Sequence, residues 1–206
     1  TMIIENDGSG NLSIKQNIAR ESNFISYAMA TGDFDGDGDI DVVFSNSYAD
    51  ELVLWTNDGT GSFTQASTLE TAPYPDLEQA IAIDIDIDGD MDLVTSTWYN
   101  NGYLLITFNN DGAGNFTIDQ TLNVSYEIDD VLLAADLDSD GDMDIISGGY
   151  SGVIIFVNEA GTIASPTVYL ADAGGFDNLG LADLDGDGDT DIVALNDYIN
   201  SGQYHY

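Results

Sequence analysis

Five aspartates occupy alternate positions of a nine-residue stretch four times in this chain. They are Asp33, Asp35, Asp37, Asp39 and Asp41 (DFDGDGDID); Asp84, Asp86, Asp88, Asp90 and Asp92 (DIDIDGDMD); Asp136, Asp138, Asp140, Asp142 and Asp144 (DLDSDGDMD); and Asp183, Asp185, Asp187, Asp189 and Asp191 (DLDGDGDTD). Carboxylates crowded at this spacing repel one another unless a cation neutralises them, and a donor set made only of oxygen selects a hard metal. In the first stretch Asp33, Asp35 and Asp37 turn inward at positions 1, 3 and 5, and Gly38 at position 6 permits the sharp backbone turn. Asp39 at position 7 offers its carbonyl, and Asp41 at position 9 closes the shell with both oxygens. Six or seven oxygens at roughly 2.3–2.6 Å suit Ca²⁺, whereas Mg²⁺ demands a tighter octahedron and keeps its waters. The expectation is four calcium ions, one per loop.

An EF-hand requires an acid at position 12, and those positions hold Phe44, Thr95, Ser147 and Ala194. Nonapeptide β-helix repeats would recur every nine residues, but these loops lie about fifty residues apart, so the repeating unit is a whole supersecondary element. Around each loop the order recurs: an apolar run, the loop, a second run, a turn, a third run, a glycine turn and a fourth run. In the second copy the runs are Gln79–Ile83, Met91–Thr97, Tyr103–Phe108 and Phe116–Leu122. β-Branched and aromatic residues bounded by Gly and Asn clusters read as strands, and no amphipathic helical pattern competes. The fold expected is all-β, with β-propeller-type repeats: four blades of four antiparallel strands across residues 1–206, each with its calcium loop between strands one and two.

The turn between strands three and four also recurs, at Asn6-Asp-Gly-Ser-Gly, Asn57-Asp-Gly-Thr-Gly and Asn110-Asp-Gly-Ala-Gly, with a degenerate version at Asn158-Glu-Ala-Gly. Asn-Asp-Gly supplies the positive-φ positions of a tight hairpin. The apolar residue after the first three turns (Leu12, Phe63, Phe116) is expected to plug the gap between neighbouring blades.

These residues resemble the FG-GAP and VCBS repeats, known from the propeller heads of integrin α subunits and from secreted bacterial proteins. The family's calcium ligands match Asp33/Asp35/Asp37/Asp41, Asp84/Asp86/Asp88/Asp92, Asp136/Asp138/Asp140/Asp144 and Asp183/Asp185/Asp187/Asp191. The literal Phe-Gly and Gly-Ala-Pro signatures are absent, so the bacterial-type branch is the nearer likeness. Family propellers usually have seven blades, whereas this chain has four loops. Met2–Glu5 and Gln203–Tyr206 align to the same strand of the repeat, which leaves two arrangements open: a ring closed within the chain, or continuation into a longer array or a neighbouring subunit by self-association through terminal strands.

Two basic residues, Lys15 and Arg20, face 38 acidic ones, for a net charge of −36. Four divalent ions would add eight charges, leaving about −28. This balance excludes nucleic acid and anionic membranes as partners. There is no cysteine, so calcium takes the stapling role of disulfides. Extracellular sites of this kind bind at about 10⁻⁴–10⁻³ M, which points to a secreted or cell-surface protein. No apolar stretch approaches a bilayer span, so no membrane insertion is expected, and Thr1–Glu5 has no signal-peptide character.

The raw material for catalysis is poor: one histidine (His205), no cysteine and clustered acids already spoken for as metal ligands. The expectation is no enzyme, but a module for adhesion or assembly that engages a protein or glycan on an extracellular surface. Tyr48, Tyr99, Tyr150 and Tyr198 fall 14 or 15 residues after the first Asp of their loops, with Trp98 beside one of them. They form a possible ligand face opposite the calcium loops, joined by Glu21, Phe24, Tyr74, Asp76, Tyr126, Asp129, Phe176 and Asp177. Repeated packing is the other reading of a repeated tyrosine. A carbohydrate-binding propeller and a filament subunit are the alternatives that follow. Asn11, Asn115 and Asn123 begin Asn-x-Ser/Thr triplets, which matter only in an organism that glycosylates.

Overall fold

The computed structural model describes residues 1–18, 26–47, 49–71, 73–74, 76–128, 131–169 and 175–196. Among them every regular element is a strand. A hairpin of β1 (Met2–Asn6) and β2 (Leu12–Asn17) precedes a four-stranded sheet of β3 (Met29–Gly32), β4 (Asp41–Asn46), β5 (Glu51–Asn57) and β6 (Phe63–Glu70). The second sheet holds β7 (Leu77–Ile83), β8 (Asp92–Tyr99), β9 (Gly102–Asn110) and β10 (Phe116–Val124). In the third, β11 (Val131–Ala135), β12 (Asp144–Gly149) and β13 (Gly152–Phe156) are joined by β16 (Thr167–Tyr169), and a short ribbon of β14 (Asn158–Glu159) and β15 (Thr162–Ile163) stands between. Pro166, which cannot donate to a ladder, lies in this interruption just before β16. The pair β17 (Phe176–Ala182) and β18 (Asp191–Asn196) ends the described fold.

Among the described residues all pairings are antiparallel, and all but β13–β16, which the β14–β15 ribbon interrupts, join strands adjacent in sequence; no sheet closes on itself, an arrangement consistent with β-propeller-like repeats. The sheets meet face to face, so a strand buries both of its sides. On β4, Val42 and Phe44 pack with Ile18 and Val53 toward the β1–β2 hairpin, while Val43 between them packs with Leu93, Ile106 and Phe108 of the second sheet. Val94, Ile145, Ile154 and Phe156 repeat this contact between the second and third sheets. This two-sided burial explains why the runs read as continuous apolar stretches rather than clean alternation.

The residues after the hairpin turns divide. Phe116 sits edge-on to Phe34 of the preceding unit, with ring centroids 5.5 Å apart, and Phe63 packs among Ile3, Ile18 and Phe44. Leu12, expected in the same role, is 69% exposed, because no sheet precedes β1–β2 among the described residues. The segment Gln203–Tyr206 lies outside the described residues.

Candidate metal centre

Each aspartate stretch forms the connection between the first and second strands of its unit, and the aspartate at position 9 is the first residue of the second strand. The glycine at position 6 has positive φ in all four copies (93°, 98°, 100° and 99° at Gly38, Gly89, Gly141 and Gly188). Space around these glycines is open, so conformation alone demands them. Position 4 is left-handed as well, at Gly36, Ile87, Ser139 and Gly186. The glycines at position 4 of two copies were the signal for this second special backbone position.

Position 1 organises the turn. Gly38 N donates to Asp33 Oδ2 at 2.9 Å, and Gly89, Gly141 and Gly188 repeat the bond to Asp84, Asp136 and Asp183. Position 5 accepts from the amide of position 7 in every copy. Asp33, Asp35 and Asp37 each bring a carboxylate oxygen within 4.8 Å of the others, as do Asp84, Asp86 and Asp92; Asp136, Asp138 and Asp140; and Asp183, Asp185 and Asp191. Positions 1, 3, 5 and 9 are thus the ones whose side chains converge.

At position 9, Asp41, Asp92 and Asp144 are at most 1% exposed. Each accepts two backbone bonds. In the second loop Ile85 N donates to Asp92 Oδ2 at 3.0 Å and Asn110 N to Asp92 Oδ1 at 2.8 Å; Phe34 and Asn57 do the same for Asp41, and Leu137 and Asn158 for Asp144. Burial pushes the Asp92 carboxyl up to about 6 against the pull of these bonds, and the neighbouring Asp86 and Asp88 carboxylates push the same way. Asp41 is raised by burial too, and Asp35 by burial and by the Asp41 and Asp37 carboxylates.

The side chains at position 7 turn elsewhere. Asp39 and Asp90 lie against the strand-three-to-four turns of their own units, where a Cβ on Gly59 or Gly112 would collide with the carboxylate. Asp142 Oδ2 accepts from Ala160 N at 2.5 Å in the equivalent turn. These residues leave their carbonyls, not their carboxylates, for an ion. The fourth loop's converging triad, Asp183, Asp185 and Asp191, does not include Asp189.

Calcium fits this donor set. Asp35 Oδ1 is buried with no hydrogen-bond partner, the donors are all oxygen, and among the described residues the buried carboxylates face no side-chain cation. Lys15 is engaged elsewhere, with Glu5 and the Thr60 carbonyl, and Arg20 lies outside the described residues.

At the opposite ends of the sheets, the expected tyrosine series separates. Tyr99 ends β8 and packs edge-on against Tyr74 at 5.6 Å, so it serves the core. Tyr150 stands in the turn after β12 and is 54% exposed. Counted from the first residue of the second strand, Tyr150 corresponds to Trp98, which is 46% exposed and sits edge-on to Tyr103 at 4.6 Å. Tyr103 Oη donates to Glu127 Oε1, and Tyr150 N donates to Glu127 Oε2, which joins these groups across the second and third units. Phe176, expected on this face, is buried in β17 between sheets. Tyr126 and Asp76 are exposed. Glu21, Phe24, Tyr48, Asp129, Tyr198 and His205 lie outside the described residues, as does the side chain of Asp177.

Small antiparallel sheets in series, each with a carboxylate-lined loop between its first two strands, define a β-propeller-like repeat protein. The FG-GAP-like repeat matches residues 33–95, 84–147 and 136–194, and the chain belongs to that family. Among curated proteins none matches the chain. Among solved structures, one similar chain is an Agrocybe aegerita lectin, described as specifically recognising non-reducing terminal N-acetylglucosamine. It has a TM-score of 0.56 and 22% identity over 80% of this chain and 45% of the lectin, a likeness of fold. The chain spans less than half the lectin's length.

Proposed function

We propose that the protein is a calcium-stabilised, non-catalytic module of the extracellular space, built of four blade units with one ion in each aspartate loop. Asp33, Asp35, Asp37 and Asp41, with their counterparts in the other loops, hold the ion, which neutralises the local charge and fixes the first-to-second strand connection. The observation that carries the reading is the buried position-9 carboxylate of the first three loops, facing its neighbours with no side-chain cation among the described residues to balance it. Removing calcium leaves about four carboxylates crowded per loop, so EGTA should lower the melting temperature by well over 10 °C, reversibly on adding calcium back. A melting temperature indifferent to EGTA would refute the reading. The family's extracellular members, the acidic surface and the millimolar calcium outside cells support that setting.

Carbohydrate binding is a second reading, favoured by the half-exposed Trp98 indole beside the Tyr103–Glu127–Tyr150 group. A ring face stacks on a pyranose, and a carboxylate accepts its hydroxyls. The net negative charge favours neutral sugars, N-acetylglucosamine among them. A glycan array probed with the protein and with Trp98→Ala tests this: signal lost in the variant supports it, while equal signal or silence removes it.

Assembly is favoured by Met2, Ile4 and Leu12, all more than half exposed, whose repeat equivalents Val53, Trp55 and Phe63 are covered by the neighbouring hairpin. A second copy presenting the opposite sheet face, where Leu184 and Leu195 are exposed, would cover them as the internal sheets cover each other. Light scattering in millimolar calcium tests this. Concentration-dependent growth supports it, and a constant mass of 22.0 kDa overturns it.

A further inference from the structure

Asn110 and Asn158 each touch two aspartate loops. Asn110, the last residue of β9, donates its backbone N–H to Asp92 Oδ1 in its own unit's loop. Its side-chain Nδ2 donates at 2.9 Å to the carbonyl of Phe34, the second residue of the preceding unit's loop, and at 3.0 Å to the Met91 carbonyl. The Phe34 N–H in turn donates to Asp41 Oδ2 at 3.0 Å. Asn158 repeats the arrangement one unit on: its N–H donates to Asp144 Oδ1 at 2.9 Å, its Nδ2 donates to the Ile85 carbonyl at 2.8 Å, and Ile85 N–H reaches Asp92 Oδ2. The result is an unbroken run of hydrogen bonds through three loops, from Asp41 by Phe34 and Asn110 to Asp92, then by Ile85 and Asn158 to Asp144.

Every residue along this run is at most 1% exposed, so water does not compete for the bonds. In each case the linked group is the position-9 aspartate; Asp92 is a member of its loop's converging triad, and Asp41 and Asp144 hold the equivalent position in theirs. Asn57, at the same repeat position in the first sheet, donates its N–H to Asp41 Oδ1. Its Oδ1 accepts from Gly61, and its side chain reaches no preceding loop among the described residues.

We propose that Asn110 and Asn158 are positioning residues that couple calcium binding between adjacent loops, so that the first three sites fill cooperatively. The proposal rests on the calcium reading above. An ion in one loop fixes the peptide at position 2, and the asparagine held by that peptide presents its own N–H to the next loop's position-9 carboxylate. The second ion then meets a carboxylate already ordered, and the coupling acts equally in the other direction.

The test is a calcium titration of the full chain followed by NMR at the amides of Gly38, Gly89 and Gly141, each of which reports its own loop. In the unaltered protein the three should titrate together with a Hill coefficient above one. In Asn110→Ala, Gly38 should separate from Gly89 and Gly141, with binding in the first loop weakened about fivefold, at the lower end of ordinary coupling strengths. Asn158→Ala should instead separate Gly141 from the other two, and this second junction serves if Asn110→Ala does not fold. Asn115→Ala, which removes only an exposed cap on Asp111, should leave all three curves unchanged. Independent curves in the unaltered protein, or uniform weakening of all three in the variants, would overturn the coupling while leaving calcium binding intact. Glycine amides that ignore calcium would overturn the calcium reading and the coupling with it.

Discussion

The second and fourth aspartate loops share nine positions and the same backbone path, yet differ in surroundings. Asp92 is fully buried, with two backbone donors on its carboxylate and the Asn110 and Asn158 amides close by. Asp191 is half-buried and, among the described residues, accepts one bond, from Leu184, itself 63% exposed. The local sequence sets the chelating geometry, and the neighbouring units set how dry it is. Dryness decides what an ion is worth there, because charges attract more strongly and an unpaired one is more costly away from water.

Truncation should expose that difference most plainly. Asp92→Ala strands the Ile85 and Asn110 N–H groups in a buried site besides removing a ligand, a loss of about 3–5 kcal/mol from two orphaned donors and a broken charge network. Asp191→Ala removes a ligand too, but the amide it frees is one that water can reach, so its loss beyond the ligand is about 1 kcal/mol. Urea midpoints in saturating calcium measure both. Equal losses would mean that burial does not set the difference between the loops.

Acidity sharpens the same contrast. With calcium stripped, the folded-state Asp92 pKa of about 6 lies above the ordinary 3.8, so between these values the folded chain holds a proton that the unfolded chain has lost. The sign follows: this group favours folding at low pH, and its contribution declines by about 3 kcal/mol as pH rises through that window. The raised Asp35 and Asp41 act in the same direction. With calcium bound the ionised form is the one stabilised, and the trend should reverse. Melting temperatures between pH 4 and 7 should therefore fall in EGTA and rise in calcium; parallel curves would count against a buried Asp92 at the ion.

Much of this was legible in the sequence. The aspartate spacing and the position-6 glycine located the loops, and the strand runs in the second copy fell within two residues of β7 to β10 at every edge. What escaped depends on contacts between units. The reach of Asn110 to Phe34 spans 76 residues and leaves no local pattern. Equal tyrosine spacing does not carry equal surroundings: β8 runs on to Tyr99 whereas β12 stops at Gly149, so Tyr99 packs against the core and Tyr150 stands in the turn. The loop pattern assigns position 7 a carbonyl, but where the Asp39, Asp90 and Asp142 carboxylates go is set by the packing of the hairpin turns, which leaves no mark in the loop itself.

The smallest effect lies at position 4, where the copies differ in residue but not in conformation. Ile87 holds φ of 61° and is 57% exposed, while Gly36 and Gly186 hold 74° and 81°. A β-branched residue in this region costs about 1–2 kcal/mol, and its side chain here recovers little by burial. Ile87→Gly relieves that strain but adds about 0.5–1 kcal/mol of unfolded-state entropy, so the net gain should be about 0.5–1 kcal/mol. The reverse change, Gly36→Ile, should cost more than this gain, because a Cβ there meets the Gly112 carbonyl oxygen at 3.0 Å as well as the left-handed penalty. Urea midpoints of the two variants in saturating calcium should move in opposite directions. A fall in both would show that the Ile87 side chain contributes a contact that outweighs its backbone strain.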